Sequence, residues 1–298
     1  MPLRHFRSET DADGILWLSI DKQGSGANTL SDDVVGELES VLDALEAHPP
    51  RALVIRSAKD KGFVAGADIA EFVGLGEADG CAKVRRVQRA FDRIEALPLN
   101  TASLVHGYCL GGGLEVALAT RARIARDDAT FGAPEVTLGL HPGFGGTARL
   151  TRLIAAPRAM ELMLSGRTID ARQAQRLGLV DAVADANGIE ALAGRAVLGE
   201  TRGRPPRPWL SLYNAGPARR LLGASMRRRL GKSVPFAENP APYALIDLWV
   251  RFGGARAQMI EAEAASFARL VAGEVAQARV RTFFERGKRN SDRTRTES

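Results

Sequence analysis

The sequence predicts an α/β fold built from repeated strand–strand–helix units, followed by a helical C-terminal region. Between residues 15 and 131, short apolar runs alternate with amphipathic segments. Glycine-containing loops separate these segments, and the connections are short. Towards the C-terminus, apolar side chains recur at helical spacing, at Ile260, Ala264, Phe267 and Val271. This rhythm favours a layered α/β domain over a sandwich or a helical bundle.

The first elements follow from hydrophobicity and capping. Residues 15–20 are mostly apolar and predict a strand. Ser31 precedes two aspartates and a series of apolar residues at helical spacing, so it predicts the start of a capped helix. Pro49 and Pro50 predict the end of that helix. The run Ala-Leu-Val-Ile at 52–55 predicts a buried strand.

The same rhythm continues through the middle of the chain. The glycine triplet at 111–113 precedes a predicted helix, and helices are expected to dominate after Thr147. The elements predicted here are a helix at 81–97, a strand at 101–105, a helix at 114–122 and a strand at 124–131.

Composition divides the chain into three parts. Three arginines interleaved with three prolines at 202–208 predict an extended connector. We therefore expect a core domain over residues 1–200 and a helical region over 201–286. Residues 287–298 are polar and charged without apolar periodicity, and they predict a disordered tail.

Length and composition exclude several classes of protein. With 298 residues, 45% of them hydrophobic, the chain can bury a substantial core. No apolar run reaches the roughly 18 residues that a membrane span needs, and the N-terminus has no apolar run of signal-peptide type. Cys81 and Cys109 have no metal-binding or redox spacing. We therefore expect a cytoplasmic protein with reduced cysteines and no membrane partner.

The net charge of +6 hides an asymmetry between the two parts of the chain. Residues 201–298 carry 19 basic and 8 acidic residues, whereas residues 1–200 carry 22 basic and 27 acidic residues. Such a split indicates an anionic partner, namely the phosphates of a nucleotide-bearing substrate, an acidic protein surface or RNA. A solvated, arginine-rich helical surface explains the split equally well. The run Arg227-Arg228-Arg229 with Lys232 favours that simpler interpretation.

Two glutamates, each in a glycine-marked motif, carry the strongest functional signal. Glu115 ends the segment Gly-Tyr-Cys-Leu-Gly-Gly-Gly-Leu-Glu at 107–115, and Glu135 ends Phe-Gly-Ala-Pro-Glu at 131–135. Two carboxylates that the fold brings together can share one water between an acid and a base. Taken alone, the first motif also fits a glycine-rich helix start used for close packing, with a glutamate that favours the helix dipole.

Two loops could supply an oxyanion hole. The glycine triplet at 111–113 lets the backbone approach a ligand closely, and the free N–H groups of a helix start would stabilise negative charge there. A second loop, Lys-Gly-Phe-Val-Ala-Gly-Ala-Asp-Ile at 61–69, can present the amide of Ala67, with Asp68 capping the segment after it. The residues therefore predict acid–base chemistry beside an activated carbonyl.

Together these motifs resemble the crotonase (enoyl-CoA hydratase/isomerase) superfamily. The matching segments are Phe-x-Ala-Gly-Ala-Asp-Ile at 63–69, the whole of 107–115, Pro134-Glu135 and Gly-x-x-Pro-Gly-x-Gly-Gly-Thr at 139–147, with support from 28–31 and 165–181. They cover about residues 10–190 in the family's order. The resemblance implies a crotonase-type spiral fold and a CoA thioester substrate.

The resemblance also implies a division of roles. The amides of Ala67 and Gly112 would form the oxyanion hole. Glu115 would position and deprotonate water for attack at C3, while Glu135 would exchange the proton at C2. No metal and no cofactor is expected, because CoA is part of the substrate. The other residues expected to bind substrate are Ala65, Asp68, Ile69, Gly111, Pro134, Gly143 and Phe144.

Both glutamates are present, which favours hydration of a 2-enoyl-CoA in fatty-acid β-oxidation. Within the family, isomerases that only move a double bond often keep just the second glutamate. A Δ3–Δ2 enoyl-CoA isomerase is the nearest alternative. A non-catalytic crotonase-like protein that binds RNA or a partner is another, although the basic runs lack the interleaved aromatics of single-strand binding, which disfavours nucleic acid. A structural subunit with an intact but idle site is a third.

The C-terminal third carries a second resemblance. Residues 240–247, 261–267 and 283–286 resemble the segment that follows the hydratase module in multifunctional fatty-acid β-oxidation proteins. In those proteins a 3-hydroxyacyl-CoA dehydrogenase comes next, but no strand followed by Gly-x-Gly-x-x-Gly occurs here, so NAD chemistry is not supported. A stand-alone relative and a separated module both remain open, as do a homo-trimer or hexamer and association with a β-oxidation partner.

Four aromatic or imidazole side chains lie in or near the motifs. His106 and His141 flank the predicted site, and we expect them to line it or to form hydrogen bonds, since the implied mechanism needs neither. Tyr108 and Phe144 are expected to shape the acyl pocket.

Overall fold

The computed structural model describes residues 3–200 and 208–296, with side chains described as far as Glu285. Its first part consists of units of two strands and a helix. These are β1 (Phe6–Thr10), β2 (Ile15–Ile20) and α1 (Asp32–Ala47); β3 (Ala52–Ser57), β4 (Gly62–Val64) and α2 (Glu77–Ala96); β5 (Asn100–Val105), β6 (Tyr108–Leu110) and α3 (Gly112–Ala119); and β7 (Ala122–Arg126), β8 (Thr130–Gly132) and α4 (Gly146–Leu153). Short 3-10 helices, Ile69–Phe72 and Pro134–Leu138, follow β4 and β8.

Helices dominate the rest of the described chain, as the sequence predicts. After α4 come α5 (Ala156–Ser165), β9 (Thr168–Asp170), α6 (Ala171–Leu177), β10 (Ala182–Ala184) and α7 (Ile189–Val197). A 3-10 helix, Pro208–Asn214, then leads into α8 (Gly216–Leu230), α9 (Ala241–Phe252), α10 (Arg256–Val271) and α11 (Glu274–Thr296). The predicted connector at 202–208 lies outside the described residues except for Pro208, and the domain boundary at 200 stays a prediction.

In each unit after the first, the two strands belong to two different sheets. Among the described residues, the larger sheet has the order β1-β2-β3-β5-β7-β10, parallel except for the β1–β2 pair. The smaller sheet has the order β4-β6-β8-β9, parallel except for the β8–β9 pair. Each unit after the first thus advances both sheets by one strand, and the loops that follow the smaller sheet's strands come together.

Two apolar clusters hold these layers in place. The larger cluster joins α1, α2, α3 and the C-terminal helices to one face of the large sheet, with Phe63, Phe91, Phe131 and Trp249 almost completely buried. The smaller cluster packs α7 on the opposite face of that sheet. Burial of this extent is the main stabilising contribution to the fold. A rigid scaffold therefore supports the loops at the edge of the small sheet.

Asn28 fixes one of these loops. Its side chain is fully buried, and its Nδ2 group donates to the carbonyl oxygens of Ile20 and Phe63 at 2.9 and 3.1 Å. These bonds place Leu30 against the loop after β4, where the Leu30 amide donates to the Gly66 carbonyl at 2.9 Å. The 28–31 segment is therefore a structural support for the second predicted loop.

Several boundaries differ from the sequence-based expectation. The helix predicted at 114–122 ends at Ala119, because the Thr120 hydroxyl donates to the Ala117 carbonyl at 2.8 Å and the chain turns into β7. The strand predicted at 124–131 is two strands, since β7 pairs with β5 and β8 pairs with β6. Strands β1, β4, β6, β9 and β10 were not predicted from the sequence. Helix α11 continues to Thr296, where the sequence predicted a disordered tail from residue 287; four of the residues from 287 to 296 are lysine or arginine, which have good helix propensity.

Candidate active site

A small cavity of about 70 Å³ lies where the loops after β4, β6 and β8 meet. Both glutamates singled out in the sequence line it. So do all but one of the other residues predicted for the site, namely Ala65, Ala67, Ile69, Gly111, Gly112, Pro134, Gly143 and Phe144. The structure therefore brings together residues that are up to 79 positions apart in the chain.

Two backbone amides reach the cavity from different loops. Leu30 bonds to Gly66 and Asp68 on one side of the extended loop, so the N–H of Ala67 between them points to the other side. Gly112 is the first residue of α3, where N–H groups lack a partner within the helix. The loops are in contact, because a Cβ added at Gly66 would lie 3.9 Å from the Gly112 nitrogen. This arrangement can donate two hydrogen bonds to one oxyanion.

Gly111 allows the second carboxylate to approach these amides. Its φ of +51° lies in the left-handed region, which favours glycine, and it directly precedes α3. A Cβ added at Gly111 would lie 3.0 Å from Glu135 Oε1. Glu135 itself belongs to the 3-10 helix Pro134–Leu138, and its Oε2 atom is buried without a hydrogen-bond partner among the described residues. Such an atom is available to a ligand.

Glu115 is held by the start of α4. The side chain lies in the first turn of α3 and is 3% exposed. Its Oε1 atom accepts hydrogen bonds from the backbone amides of Phe144 at 2.8 Å and Gly146 at 2.7 Å. A Cβ on Gly146 would lie only 2.5 Å from this oxygen, so the contact requires glycine there. Both of these hydrogen bonds engage Oε1 and not Oε2.

Burial shifts the proton affinity of both carboxyl groups upward. Burial raises the pKa of Glu115 to about 7, and the two amide hydrogen bonds oppose the rise. Burial, and then the charge of Glu115, raises the pKa of Glu135 to about 8. The two carboxyl groups titrate as a coupled pair, and the pair keeps its protons to higher pH than ordinary glutamates do. Near neutral pH, one carboxyl group can accept a proton while the other donates one.

A third buried carboxylate, Glu263 of α10, lies beside the pair and was not singled out in the sequence. It is completely buried, and its Oε1 and Oε2 atoms accept from the amides of Gly145 at 2.5 Å and Thr147 at 3.1 Å. Burial and the charge of Glu115 raise the pKa of Glu263 to about 8. A sequence signal for Glu263 did exist: it is an acidic residue one helical turn from both Ile260 and Phe267, on the apolar face that they define.

Other lining residues were also missed. Phe72 and Phe267 close one side of the cavity and stack edge to face with ring centroids 5.5 Å apart. Gly66, Leu138 and Leu140 complete the lining that the sequence analysis did not name. Phe72, Leu138 and Phe267 lie outside the motifs that predicted the site, and Gly66 and Leu140 lie within motifs without having been predicted to line the site, so only the fold shows that they face it.

Asp68 has a different position from the rest of the predicted set. Its carboxylate accepts from Lys22 Nζ at 2.6 Å and caps the following 3-10 helix by accepting from the Ala70 amide at 3.2 Å. The predicted capping role is therefore confirmed. Asp68 does not line the cavity within the described part of the chain, and its role in substrate binding stays a prediction.

The two histidines do not face the reacting region. His141 is fully buried, with Nδ1 2.7 Å from the Pro142 carbonyl oxygen and Nε2 2.8 Å from Ser266 Oγ. Burial lowers the pKa of His141 to about 4, so the ring is neutral. The expected hydrogen-bonding role is confirmed for both histidines, but the expectation that His106 flanks the site is wrong. It bonds to the Lys59 carbonyl at 2.7 Å and lines a separate, polar cavity.

Within residues 3–200 and 208–296, no group of three or more His, Cys, Asp or Glu side chains has the arrangement of a metal site. No helix in the same ranges has the length and hydropathy to cross a membrane. The absence of a metal and of a cofactor from the reaction stays a prediction.

Comparisons with known proteins point to one family. A family model described as enoyl-CoA hydratase/isomerase matches residues 12–197. The fatty acid oxidation complex subunit alpha of Shewanella sp. (strain MR-4) is 36% identical over 282 residues, which are 91% of this chain and 40% of that protein. The chain thus spans about 40% of the length of the curated relatives it matches.

Solved structures show the same fold. The enoyl-CoA hydratase from Bacillus anthracis is 28% identical with a TM-score of 0.62, and the match covers 83% of this chain and 90% of that one. An enoyl-CoA hydratase from Bacillus halodurans is 18% identical with a TM-score of 0.70 over 94% of this chain and all of the other, a likeness of fold alone. These matches confirm the predicted spiral fold with its helical C-terminal region.

Proposed function

Because the chain belongs to the enoyl-CoA hydratase/isomerase family, we propose that it adds water across the double bond of a 2-enoyl-CoA, giving a 3-hydroxyacyl-CoA. One observation carries the proposal. Glu115, held by two amides, and Glu135, with a buried free oxygen, line the same cavity as two amides suited to an oxyanion. Hydration needs a base for water, an acid for C2 and a stabilised enolate, and this site offers all three.

The proposed mechanism begins at the thioester carbonyl. The amides of Ala67 and Gly112 stabilise the negative charge that develops on its oxygen, and one such donor contributes on the order of 3 kcal/mol to the transition state. Polarisation of the carbonyl makes C3 electrophilic. Glu115 Oε2 accepts a proton from water while the water oxygen forms its bond to C3.

Glu135 completes the addition by giving a proton to C2. Burial and the charge of Glu115 raise the pKa of Glu135, which suits an acid, whereas the two amides that bind Glu115 oppose such a rise there, which suits a base. After one turnover Glu135 has lost a proton and Glu115 has gained one. Transfer of that proton back between the two carboxyl groups resets the site.

A Δ3–Δ2 enoyl-CoA isomerase is the second candidate, since shifting a double bond needs only one carboxyl group and the oxyanion hole. The position of Glu135 beside the Gly111 turn favours it. The hydration of added 2-enoyl-CoA distinguishes the two activities, because only hydration requires Glu115 to activate water.

The pathway and partners belong to the same proposal. Similarity to fatty acid oxidation complex subunit alpha supports a place in fatty-acid β-oxidation and an acyl-CoA thioester substrate. A cytoplasmic location, a homo-trimer or hexamer, and association with a β-oxidation partner stay predictions.

The test is the ultraviolet absorbance of crotonyl-CoA, which falls when its conjugated double bond is hydrated. We expect rapid loss with the wild type and a loss of rate of about 10²–10⁴-fold in both Glu115→Gln and Glu135→Gln. Glu161→Gln, an exposed glutamate of α5, is the matched control and should hydrate normally. Near-wild-type turnover in either site variant would contradict the two-carboxylate mechanism. Isomerisation of a 3-enoyl-CoA without hydration would select the isomerase.

A further inference from the structure

The loop that presents amides to Glu115 is held from behind by helix α10. Along residues 144–147, the two carboxylates bind alternate amides. Glu115 accepts from Phe144 and Gly146, and Glu263 accepts from Gly145 and Thr147. Successive amides at this helix start therefore point alternately to Glu115, which lines the cavity, and to Glu263, which is not among its lining residues. A shift of the loop away from α10 would break both sets of bonds.

Three more contacts tie the same loop to α10. Ser266 Oγ lies 2.8 Å from His141 Nε2, and the Phe267 ring packs on Gly143, where an added Cβ would come within 2.7 Å of it. Gln88 of α2 donates from Nε2 to the carbonyl oxygens of Gly143 at 2.8 Å and Ile260 at 3.0 Å. The loop is thus positioned by a helix that begins more than 100 residues after it.

A purely structural role does not require a charge at Glu263. The side chain is buried beside Glu115 and Glu135, and a third carboxylate raises the cost of ionising the other two. Arg149 of α4 also faces Glu263, and its positive charge lowers the cost of ionising that carboxyl group. In return, a carboxylate can accept two strong hydrogen bonds from two amides, whereas a neutral amide side chain offers one oxygen.

We propose that Glu263 is a positioning residue of the active site: by binding the Gly145 and Thr147 amides, it directs the Phe144 and Gly146 amides at Glu115 and so fixes the water-activating carboxylate. The inference rests on the proposed function for its catalytic consequence. It also makes the C-terminal helical region a part of the catalytic centre. Nothing in the motifs of the first 200 residues indicates this dependence.

The decisive variants are Glu263→Gln and Glu263→Asp, with Glu261→Gln as the matched control. Glu261 lies on the same helix but its side chain is 74% exposed. In Glu263→Gln, we expect kcat for crotonyl-CoA to fall at least about tenfold, since misplacement of a catalytic group has effects of this size. KM should change less than kcat and stay within about threefold, because Glu263 itself does not line the cavity within the described part of the chain. Glu261→Gln should match the wild type.

The pH profile separates positioning from simple loss of stability. Glu263 ionises on the alkaline side, and its charge then raises the pKa of Glu135. Glu263→Gln removes that charge, so the acid loses its proton at lower pH and the alkaline limb of kcat/KM moves to lower pH. Glu135, Glu115 and Arg149 are the charged groups that face Glu263 here. Glu263→Asp keeps the charge with a shorter reach, so its kcat should fall while the alkaline limb stays in place.

Hydrogen exchange of the backbone amides at 143–150 provides a readout that does not depend on activity. We expect faster exchange in Glu263→Gln, or in Glu263→Asp if the glutamine variant does not fold, and no change in Glu261→Gln. A folded Glu263→Gln with wild-type kcat, pH profile and exchange would overturn the inference. If the wild type turns over no enoyl-CoA, the proposed function fails, and unchanged exchange would still overturn the positioning role on its own.

Discussion

At the scale of single residues, the site concentrates buried carboxyl groups. Glu115, Glu135 and Glu263 all have raised pKa values, because burial penalises their charged forms. An apolar core would be more stable without them. Their presence therefore indicates that stability is given up for function, as at many active sites.

This arrangement predicts a specific pH dependence of stability. Glu135 has a folded-state pKa near 8 and an ordinary value of 4.5, so the folded protein binds the proton more tightly than the unfolded chain. The stability that the protonated Glu135 side chain contributes to the folded state is fully present below about pH 4.5 and is lost as pH rises towards 8. A glutamine at this position cannot ionise, so Glu135→Gln does not lose stability in this way as pH rises. The melting temperature of the variant relative to the wild type should rise by a few degrees between about pH 5 and pH 9. A difference independent of pH would contradict the raised pKa.

At the scale of elements, the turn into α4 is the most constrained part of the site. Gly145 has a φ of +93°, and Gly146 directly contacts the Glu115 carboxylate. Glycines in the 139–147 motif were identified in the sequence, but their purpose was not. The structure shows that they leave room for side chains: Phe267 against Gly143 and Glu115 against Gly146.

Gly146→Ala tests this close approach. The new Cβ would lie 2.5 Å from Glu115 Oε1, so the carboxylate must move and lose its amide bonds. We expect hydration of crotonyl-CoA to fall about 100-fold, with a loss of stability of about 1–3 kcal/mol from overpacking. Gly26→Ala is the control, since nothing lies within 4 Å of its added Cβ. Chemical denaturation and the absorbance assay measure the two effects, and an active Gly146→Ala would show that Glu115 need not be held there.

At the scale of the whole molecule, local sequence patterns predicted most helices and strands of the scaffold. They did not predict contacts between residues far apart in the chain. Ser31 is the N-cap of α1, as its position before two aspartates indicates. In contrast, β1 has only its first residue buried and carries no apolar alternation, and β4 and β6 are three residues long. Glu263 reaches Gly145 across 118 positions. No pattern within one segment encodes that contact, because it depends on how α10 packs.

The packing of the C-terminal helices predicts that the molecule unfolds as one unit. Trp249 is fully buried, and its Nε1 donates to Asn214 Oδ1 at 2.8 Å, while Asn214 Nδ2 donates to the Thr151 carbonyl at 2.9 Å. Trp249→Ala should cost about 3–5 kcal/mol of stability. In urea, loss of enzymatic turnover and loss of helical circular dichroism should coincide. Two separate transitions would show that the C-terminal region is independent of the core.

Cys109 offers a natural chemical reporter of the site's integrity. It lies in β6, just before the glycine triplet, with no exposed surface, and burial raises the pKa of its thiol. A buried, protonated thiol reacts slowly with alkylating agents and oxidants. Cys81 is only half-buried, so a maleimide should label it first. Delayed labelling of Cys109 would then time the opening of the β-sheet that carries the loops of the candidate site, without any engineered label.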